Sequence, residues 1–210
     1  SWIAFRPEPG KECVREEEMK QFHSDLTNMA PDAYAVVTGA KGVGKTVFIN
    51  SALSGKLGVL DVGIAPGLKQ DDVLRKVYDV LAGRPMFGSS AGAAWRMFRL
   101  AKFLRMRFTV IFRLSERSDD NPGSKDYAQI TGAARSLVNA GCRVVIDASP
   151  NALAPTALST RRQAVVHVDL MTLEMAMRVP KWKAVFDQLE TVGLKDAAWQ
   201  IVGGLGVALD

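Results

Sequence analysis

The chain has 210 residues, of which 48% are hydrophobic, enough to bury a substantial core in one domain or in one domain with a small addition. Its net charge of +5 is compatible with an acidic partner. The two cysteines form no CxxC or Cys/His cluster, no apolar run reaches the roughly 18 residues of a membrane span, and no signal peptide opens the chain. We therefore expect an intracellular segment, of undetermined compartment, that belongs to a longer protein.

The first predicted element is an amphipathic helix that begins near Cys13. Acidic residues occupy its first turn, where the helix dipole favours negative charge. The apolar positions of this helix form one stripe and are Val14, Met19, Phe22 and Leu26. The spacing predicts a helix that packs on a sheet.

A glycine-rich segment, Gly39 to Thr46, fits the pattern G-x-x-x-x-G-K-[ST] at every fixed position. The residues before it, 34–38, are apolar and β-branched and predict a buried strand. The residues after it, 47–53, predict a helix that ends before Gly55. A strand, a glycine loop and a helix in this order predict a phosphate-binding loop.

The residue types of this loop suit a polyphosphate. Successive backbone N–H groups at a helix N-terminus converge on an anion, and glycines permit the close approach. Lys45 is expected to reach the β- and γ-phosphates, and the Thr46 hydroxyl to ligate Mg²⁺. The predicted cofactors are ATP and Mg²⁺, and the predicted nucleotide-binding residues are Gly39, Ala40, Gly42, Val43, Gly44, Lys45, Thr46 and Val47.

Strands and helices alternate after the loop. The further predicted strands are Leu57–Ile64, Thr109–Leu114, Cys142–Asp147 and Ala164–Val168. Predicted helices cover Gln70–Leu81, Tyr127–Ala140 and three short segments, Leu173–Met177, Lys181–Glu190 and Lys195–Ile201. This alternation predicts an α/β fold, with a mostly parallel five-stranded sheet covered on both faces and the nucleotide at the carboxyl ends of the strands.

A basic helix is predicted between the second and third strands, from about Ala93 to Arg107. It carries five basic residues and no acid, namely Arg96, Arg99, Lys102, Arg105 and Arg107. Their spacing distributes the charges around the helix instead of along one face. A nucleic-acid or membrane-surface partner is therefore compatible with this helix but is not favoured.

The order of elements resembles that of the AAA+ and STAND P-loop ATPases, including the archaeal ATPase group. An Arg-Glu-x-Glu helix, 15–18, precedes the loop, and Gly203-Gly204-x-Gly206 resembles the Gly-Gly-x-Pro signature of STAND lids. The resemblance implies a P-loop nucleotide-binding αβα domain over residues 1–169 and a small C-terminal helical lid over residues 170–210. It also implies that the fourth strand lies between the third strand and the loop strand.

The third strand departs from the pattern of these ATPases. Where they place the Walker B acid, this chain has Arg113 and Leu114, and the first acid is Glu116. Either Glu116 takes over Mg²⁺ binding and water positioning, or the site binds nucleotide and hydrolyses it slowly or not at all.

The resemblance assigns further roles near the γ-phosphate. Asp147, Ser149 or Asn151 would supply a polar sensor at the end of the fourth strand, although Asp147 is equally suited to cap the following turn. Arg161 and Arg162 stand where an AAA+ arginine finger reaches a neighbouring subunit, although paired surface arginines are often only solvated. The expected catalytic set is thus Lys45, Glu116, Asp147, Arg161 and Arg162, with Thr46 and Glu116 as Mg²⁺ ligands.

Three functions remain open at this stage. The first is an ATPase or an ATP-gated conformational or assembly switch within a larger protein, with a homo-oligomer or another protein segment as partner. The second is a nucleotide-binding scaffold without hydrolysis, motivated by the displaced Walker B acid. A small phosphoryl-transfer kinase is less favoured, because such kinases usually begin at the phosphate loop and this chain has 38 residues before it.

Overall fold

The computed structural model describes residues 15–82, 107–114, 124–148 and 163–202. The strands are β1 Tyr34–Thr38, β2 Val59–Ile64, β3 Thr109–Leu114, β4 Arg143–Asp147 and β5 Gln163–His167. The helices are α1 Glu16–Asn28, α2 Lys45–Ala52, α3 Gln70–Ala82, α4 Ser124–Asn139, α5 Leu173–Met177, α6 Pro180–Thr191 and α7 Lys195–Val202. Most of the predicted basic helix, 93–106, and the predicted site residues Glu116, Arg161 and Arg162 lie outside the described residues.

The five strands form one sheet in the order β2-β3-β4-β1-β5, and every neighbouring pair is parallel. The prediction of a five-stranded α/β sheet is confirmed, and all of its pairings are parallel. Strand β4 separates β3 from β1, as the resemblance implied. The carboxyl ends of all five strands therefore lie at the same edge of the sheet.

Helices cover both faces of this sheet, and β1, which lies inside the sheet between β4 and β5, is buried along its whole length. Side chains alternate between the faces with the period of two that a strand dictates. One face packs against α1 and α2 through Ala35, Val37, Ile111 and Val145. The other packs against α3 and α4 through Val36, Val110, Phe112 and Ile146. The core thus has two layers, one on each side of the sheet.

Helix α1 is held in two places, at its middle and at its start. Phe22 packs against Phe48 of α2, with ring centroids 5.4 Å apart. Just before the helix, Arg15 is only 4% exposed, pairs with Glu18 at 3.0 Å, and donates to the backbone oxygen of Asp169. The Arg-Glu-x-Glu segment therefore ties the start of α1 to the chain that follows β5.

The C-terminal helices α5, α6 and α7 contact one another in sequence. Phe186 and Trp199 meet edge to face, with centroids 5.8 Å apart, and the hydroxyl of Thr172 caps α5 by accepting from the Met175 N–H. The division into 1–169 and 170–210 stays a prediction. None of the helices in the described ranges combines the length and apolar character needed to cross a bilayer.

Strand β1 passes into the glycine loop at a point of close backbone contact. Gly39 has φ +156°, and a Cβ built on it would lie 2.3 Å from the carbonyl oxygen of Val168. Val168 is fixed in turn, because its N–H donates to the Thr38 oxygen at 2.7 Å. Only glycine fits this position, since the obstructing atom belongs to the backbone.

We expect the Phe48→Ala substitution to lower the free energy of unfolding by about 3–5 kcal/mol, because it leaves a cavity beneath the sheet. Phe48 is 1% exposed. Leu57→Ala, at a site that is 63% exposed, is the control and should cost no more than about 0.5 kcal/mol. Urea denaturation of both variants measures the difference, and equal losses would contradict this assignment of the core.

A second prediction concerns Gly39. Gly39→Ala should cost about 2–3 kcal/mol of unfolding free energy, because its methyl group would overlap the Val168 carbonyl. Gly55→Ala is the matched control: Gly55 has φ +74° but open space around it, so only conformational strain of about 1 kcal/mol applies. If urea denaturation gives the same loss for both variants, the close contact is not what restricts position 39.

Candidate functional site

The glycine loop ends in a left-handed residue from which α2 starts. Gly42 and Gly44 have φ +84° and +88°, and Gly44 is the N-cap of α2. The helix therefore begins at Lys45, two residues before the predicted start at Val47, and includes Lys45 and Thr46 in its first turn. The conformation that the loop needs is available to glycine without strain.

Backbone donors are concentrated at this helix start. The first bond of the helical ladder joins the Phe48 N–H to the Gly44 oxygen at 2.8 Å. The N–H groups of Lys45, Thr46 and Val47 lie before that bond and have no preceding carbonyl in the helix to donate to. Such a helix end attracts anions through its free donors and its dipole.

The Lys45 side chain folds back over the loop. Its ammonium group donates to the backbone oxygens of Gly39 at 2.7 Å and Ala40 at 2.9 Å. An ammonium group has three donors, so one remains for an anion in the loop. Val43, by contrast, is buried in the core beside α2, and only its backbone is available to a ligand.

Asp147 lies directly beside the loop. It ends β4, whose register pairs it with Val37 of β1, and its side chain is 10% exposed. The Thr46 hydroxyl donates to Asp147 Oδ2 at 3.3 Å. The structure thus brings together Thr46 and Asp147, which are 101 positions apart in sequence. The sensor role assigned to Asp147 by resemblance stays a prediction.

Arg113 occupies the centre of a charged group that we name the Arg113 cluster: Arg113, Asp147, Asp61 and Asn50. Its Nη1 donates to Asp147 Oδ2 at 2.8 Å, and its Nε and Nη2 donate to the Asp61 carboxylate at 3.1–3.2 Å. Nη2 also donates to the Asn50 side-chain oxygen. The Arg113 side chain is 18% exposed. One guanidinium therefore links β2, β3, β4 and α2 at the edge of the sheet where the phosphate loop lies.

Strand register explains why this cluster forms. Arg113 stands opposite Gly63 on one side and Asp147 on the other. Opposite residues of paired strands share a face, and Asp61, two positions before Gly63, shares it too. This is the face that α2 covers, and Asn50 lies one helical turn after Thr46. The cluster continues the buried row of that face to the carboxyl edge.

Sequence reasoning placed Arg113 at the position of the Walker B acid but missed its partners. Asp61 gave one signal, since it precedes the buried Val62 and alternates with it along β2. Asn50 gave another, since its spacing of four from Thr46 puts both on one helix face. Neither signal points to Arg113 unless the strand order is known.

The metal-ligating groups near the loop are few. Within the described ranges no group of three or more His, Cys, Asp or Glu side chains could hold a metal ion. A hydroxyl and a carboxylate, those of Thr46 and Asp147, are oxygen ligands of the kind Mg²⁺ takes when phosphate oxygens complete its shell. The residues present therefore fit Mg²⁺ bound together with a nucleotide, and Glu116, the other predicted ligand, lies outside the described residues.

Two groups with strongly raised pKa values, a thiol and a phenol, lie away from this edge of the sheet. Burial raises the pKa of the Cys142 thiol, just before β4 and at the opposite edge of the sheet, to about 12. Burial, together with the neighbouring Tyr34, likewise raises the pKa of Tyr127 to about 12. A thiol with so high a pKa is protonated at neutral pH, so Cys142 is not a candidate nucleophile.

Comparisons with known proteins establish the fold. No family model matches the chain, and no curated protein sequence matches it. Among solved structures it resembles Cdc6p from Pyrobaculum aerophilum, with a TM-score of 0.51 and 16% identity over 86% of this chain and 52% of that one. It also resembles the ORC2 protein of Aeropyrum pernix, in ADPNP-ADP complexes, with a TM-score of 0.49 and 12% identity over 86% of this chain and 54% of that one. For the ORC1 protein of Aeropyrum pernix, in complex with DNA, the TM-score is 0.46 and the identity is 18%, over 81% of this chain and 49% of that one.

The chain thus spans about half the length of the solved structures it resembles. The likeness to Cdc6p concerns the fold, because the sequence identity is 16%. The chain therefore shares the fold of Cdc6p, and in this chain that fold has the parallel strand order β2-β3-β4-β1-β5 with the glycine loop after β1.

Proposed function

We propose that this chain is an ATP-binding P-loop module that acts as an ATPase or as an ATP-gated switch within a larger protein. One observation carries the proposal: the Lys45 ammonium lies over the glycine loop with a donor left for phosphate, next to the free backbone donors that begin α2. These groups converge on one place, where a triphosphate is the natural ligand.

Different residues on this edge would bind the phosphates and the Mg²⁺ of a nucleotide. Lys45 and the loop N–H groups hold the phosphates, and the Thr46 hydroxyl and Asp147 carboxylate would hold Mg²⁺. When bound, Mg²⁺ neutralises charge that develops on the phosphate oxygens. If hydrolysis occurs, it is an in-line attack of water on the γ-phosphate, and Asp147, together with Glu116 as the sequence predicts, would position that water.

A contact route supports the switch. The first glycine of the loop, Gly39, abuts the backbone of Val168, and Arg15 bonds to the backbone of the next residue, Asp169. This short stretch leads directly to α5 and the proposed lid over residues 170–210. A change in the loop on nucleotide binding would therefore be transmitted to the start of the lid.

The second candidate is a nucleotide-binding scaffold without hydrolysis. It is favoured by one observation, that an arginine already paired with two carboxylates stands where hydrolases of this kind place the Walker B acid. In that case the nucleotide would order the module for assembly with a partner and would not be turned over.

We expect ATP with Mg²⁺ to raise the melting temperature of the wild type and to leave Lys45→Ala unchanged. At a hundredfold excess over Kd, a ligand stabilises by about 2.7 kcal/mol, which for a chain of this size is a shift of about 5–10 °C. Lys195→Ala, which alters a lysine of the C-terminal helices, is the matched control and should keep the full shift. ADP and GTP measured in parallel define specificity. Equal shifts in wild type and Lys45→Ala would place nucleotide binding elsewhere and overturn the proposal.

Turnover distinguishes the two candidates. We expect slow release of inorganic phosphate that Lys45→Ala abolishes, whereas binding without phosphate release would favour the scaffold. If Arg161 and Arg162 act as a finger, the double alanine variant should lose about a thousandfold or more in turnover and keep its nucleotide affinity. A loss of affinity would instead place these arginines in the pocket of their own subunit.

A further inference from the structure

The Arg113 cluster holds a positively charged side chain next to the position where a divalent cation would bind. Arg113 shares one oxygen, Asp147 Oδ2, with the Thr46 hydroxyl: the guanidinium lies 2.8 Å and the hydroxyl 3.3 Å from it. Thr46 and Asp147 are the side chains that would hold Mg²⁺. The guanidinium is therefore separated from the cation position by a single carboxylate.

Two further groups fix this guanidinium in place. Asp61 accepts from Nε and Nη2 in a forked arrangement, and Asn50 accepts from Nη2. Forked pairing with a carboxylate gives an arginine a defined orientation as well as attraction. The positive charge of a guanidinium is spread over a planar fork of donors that matches a carboxylate, which suits it to this paired geometry.

We propose that Arg113 is a resident cation of the phosphate site, which takes over part of the charge neutralisation usually left to Mg²⁺ and makes nucleotide binding only weakly dependent on that metal. The inference rests on the proposed function. It assigns Arg113 a role as a specificity-determining residue for the metal requirement of the same site.

The electrostatic reasoning has two steps. Asp147 already shares its charge with Arg113, so it attracts a second cation less than a free carboxylate would. The guanidinium also offsets one of the two negative charges of Asp61 and Asp147, so the phosphates of a nucleotide meet less repulsion at this edge whether or not a metal accompanies them. Both effects make the affinity for ATP in the absence of Mg²⁺ more similar to the affinity in its presence.

A purely structural ion pair would behave differently. It would hold β2, β3 and β4 together, and its removal would lower stability without altering how binding depends on metal. The metal dependence of affinity therefore separates the two roles, while a loss of stability alone does not.

The first experiment measures ATP affinity by calorimetry, in Mg²⁺ and in EDTA. For the wild type we expect the two dissociation constants to agree within about threefold, and for Arg113→Met to differ by more than about tenfold. Arg178→Met is the matched control, since Arg178 is an exposed arginine paired with Glu174 on the C-terminal helices, and it should behave as the wild type. Equal metal dependence in the wild type and Arg113→Met would overturn the role of Arg113 while leaving nucleotide binding in place.

The second experiment needs no nucleotide and so stands apart from the proposed function. Mn²⁺ binding is measured by electron paramagnetic resonance on the protein alone. Arg113→Met should gain Mn²⁺ binding, because the carboxylates of Asp61 and Asp147 lose their shared counter-charge, while Arg113→Lys should remain like the wild type. Strong Mn²⁺ binding by the wild type, or none by Arg113→Met, would overturn the inference.

A folding control keeps both experiments decisive. Circular dichroism melts identify any variant that fails to fold. If Arg113→Met fails to fold, the calorimetry uses the double variant Arg113→Met with Asp61→Asn instead, which removes one of the two unpaired carboxylates. The same rise in the metal dependence of ATP affinity is expected for it. If the wild type binds no nucleotide in either buffer, the proposed function fails and this inference fails with it, which is distinct from binding with unaltered metal dependence.

Discussion

The whole arrangement depends on a parallel sheet that is covered by helices on both faces. In such a sheet the inner strands are apolar along most of their length, and their polar side chains lie mainly at strand ends. Strand β1 buries all five of its residues, and β3 buries four before it reaches Arg113. Because the strands run in one direction, their carboxyl ends share an edge, and there the phosphate loop, Arg113 and Asp147 meet.

Close backbone contacts join this edge of the sheet to the segment that precedes the C-terminal helices. The loop begins at Gly39, which touches the chain just after β5, and the neighbouring Asp169 is held by Arg15. Coupling between a ligand and a distant element needs a packed route with little slack. In the proposed switch this route would consist of one glycine contact and one buried arginine, both of them next to the chain that enters α5.

Stability alone does not account for the Arg113 cluster. A largely buried ion pair gains attraction but loses hydration, so its net contribution to folding is small, and an apolar side chain of similar size often does as well. The row that precedes the cluster on this face, Ile111 and Val145, shows that apolar packing is available there. The proposed ligand of the neighbouring loop would give this arginine between two carboxylates a role besides stability.

The sequence by itself determined the phosphate loop, the bounds of β1 and β3, and the α/β class, because a short buried strand and a glycine loop are local patterns. It also gave Arg113 at the end of β3, but not what Arg113 contacts. Asp61, Asp147 and Asn50 come from three other elements, and a shift of one residue in any strand would turn its side chains to the other face. Only the tertiary structure sets the strand register and the packing of α2 on the sheet. These two features therefore determine the partners of Arg113 and place Asp147 next to Thr46.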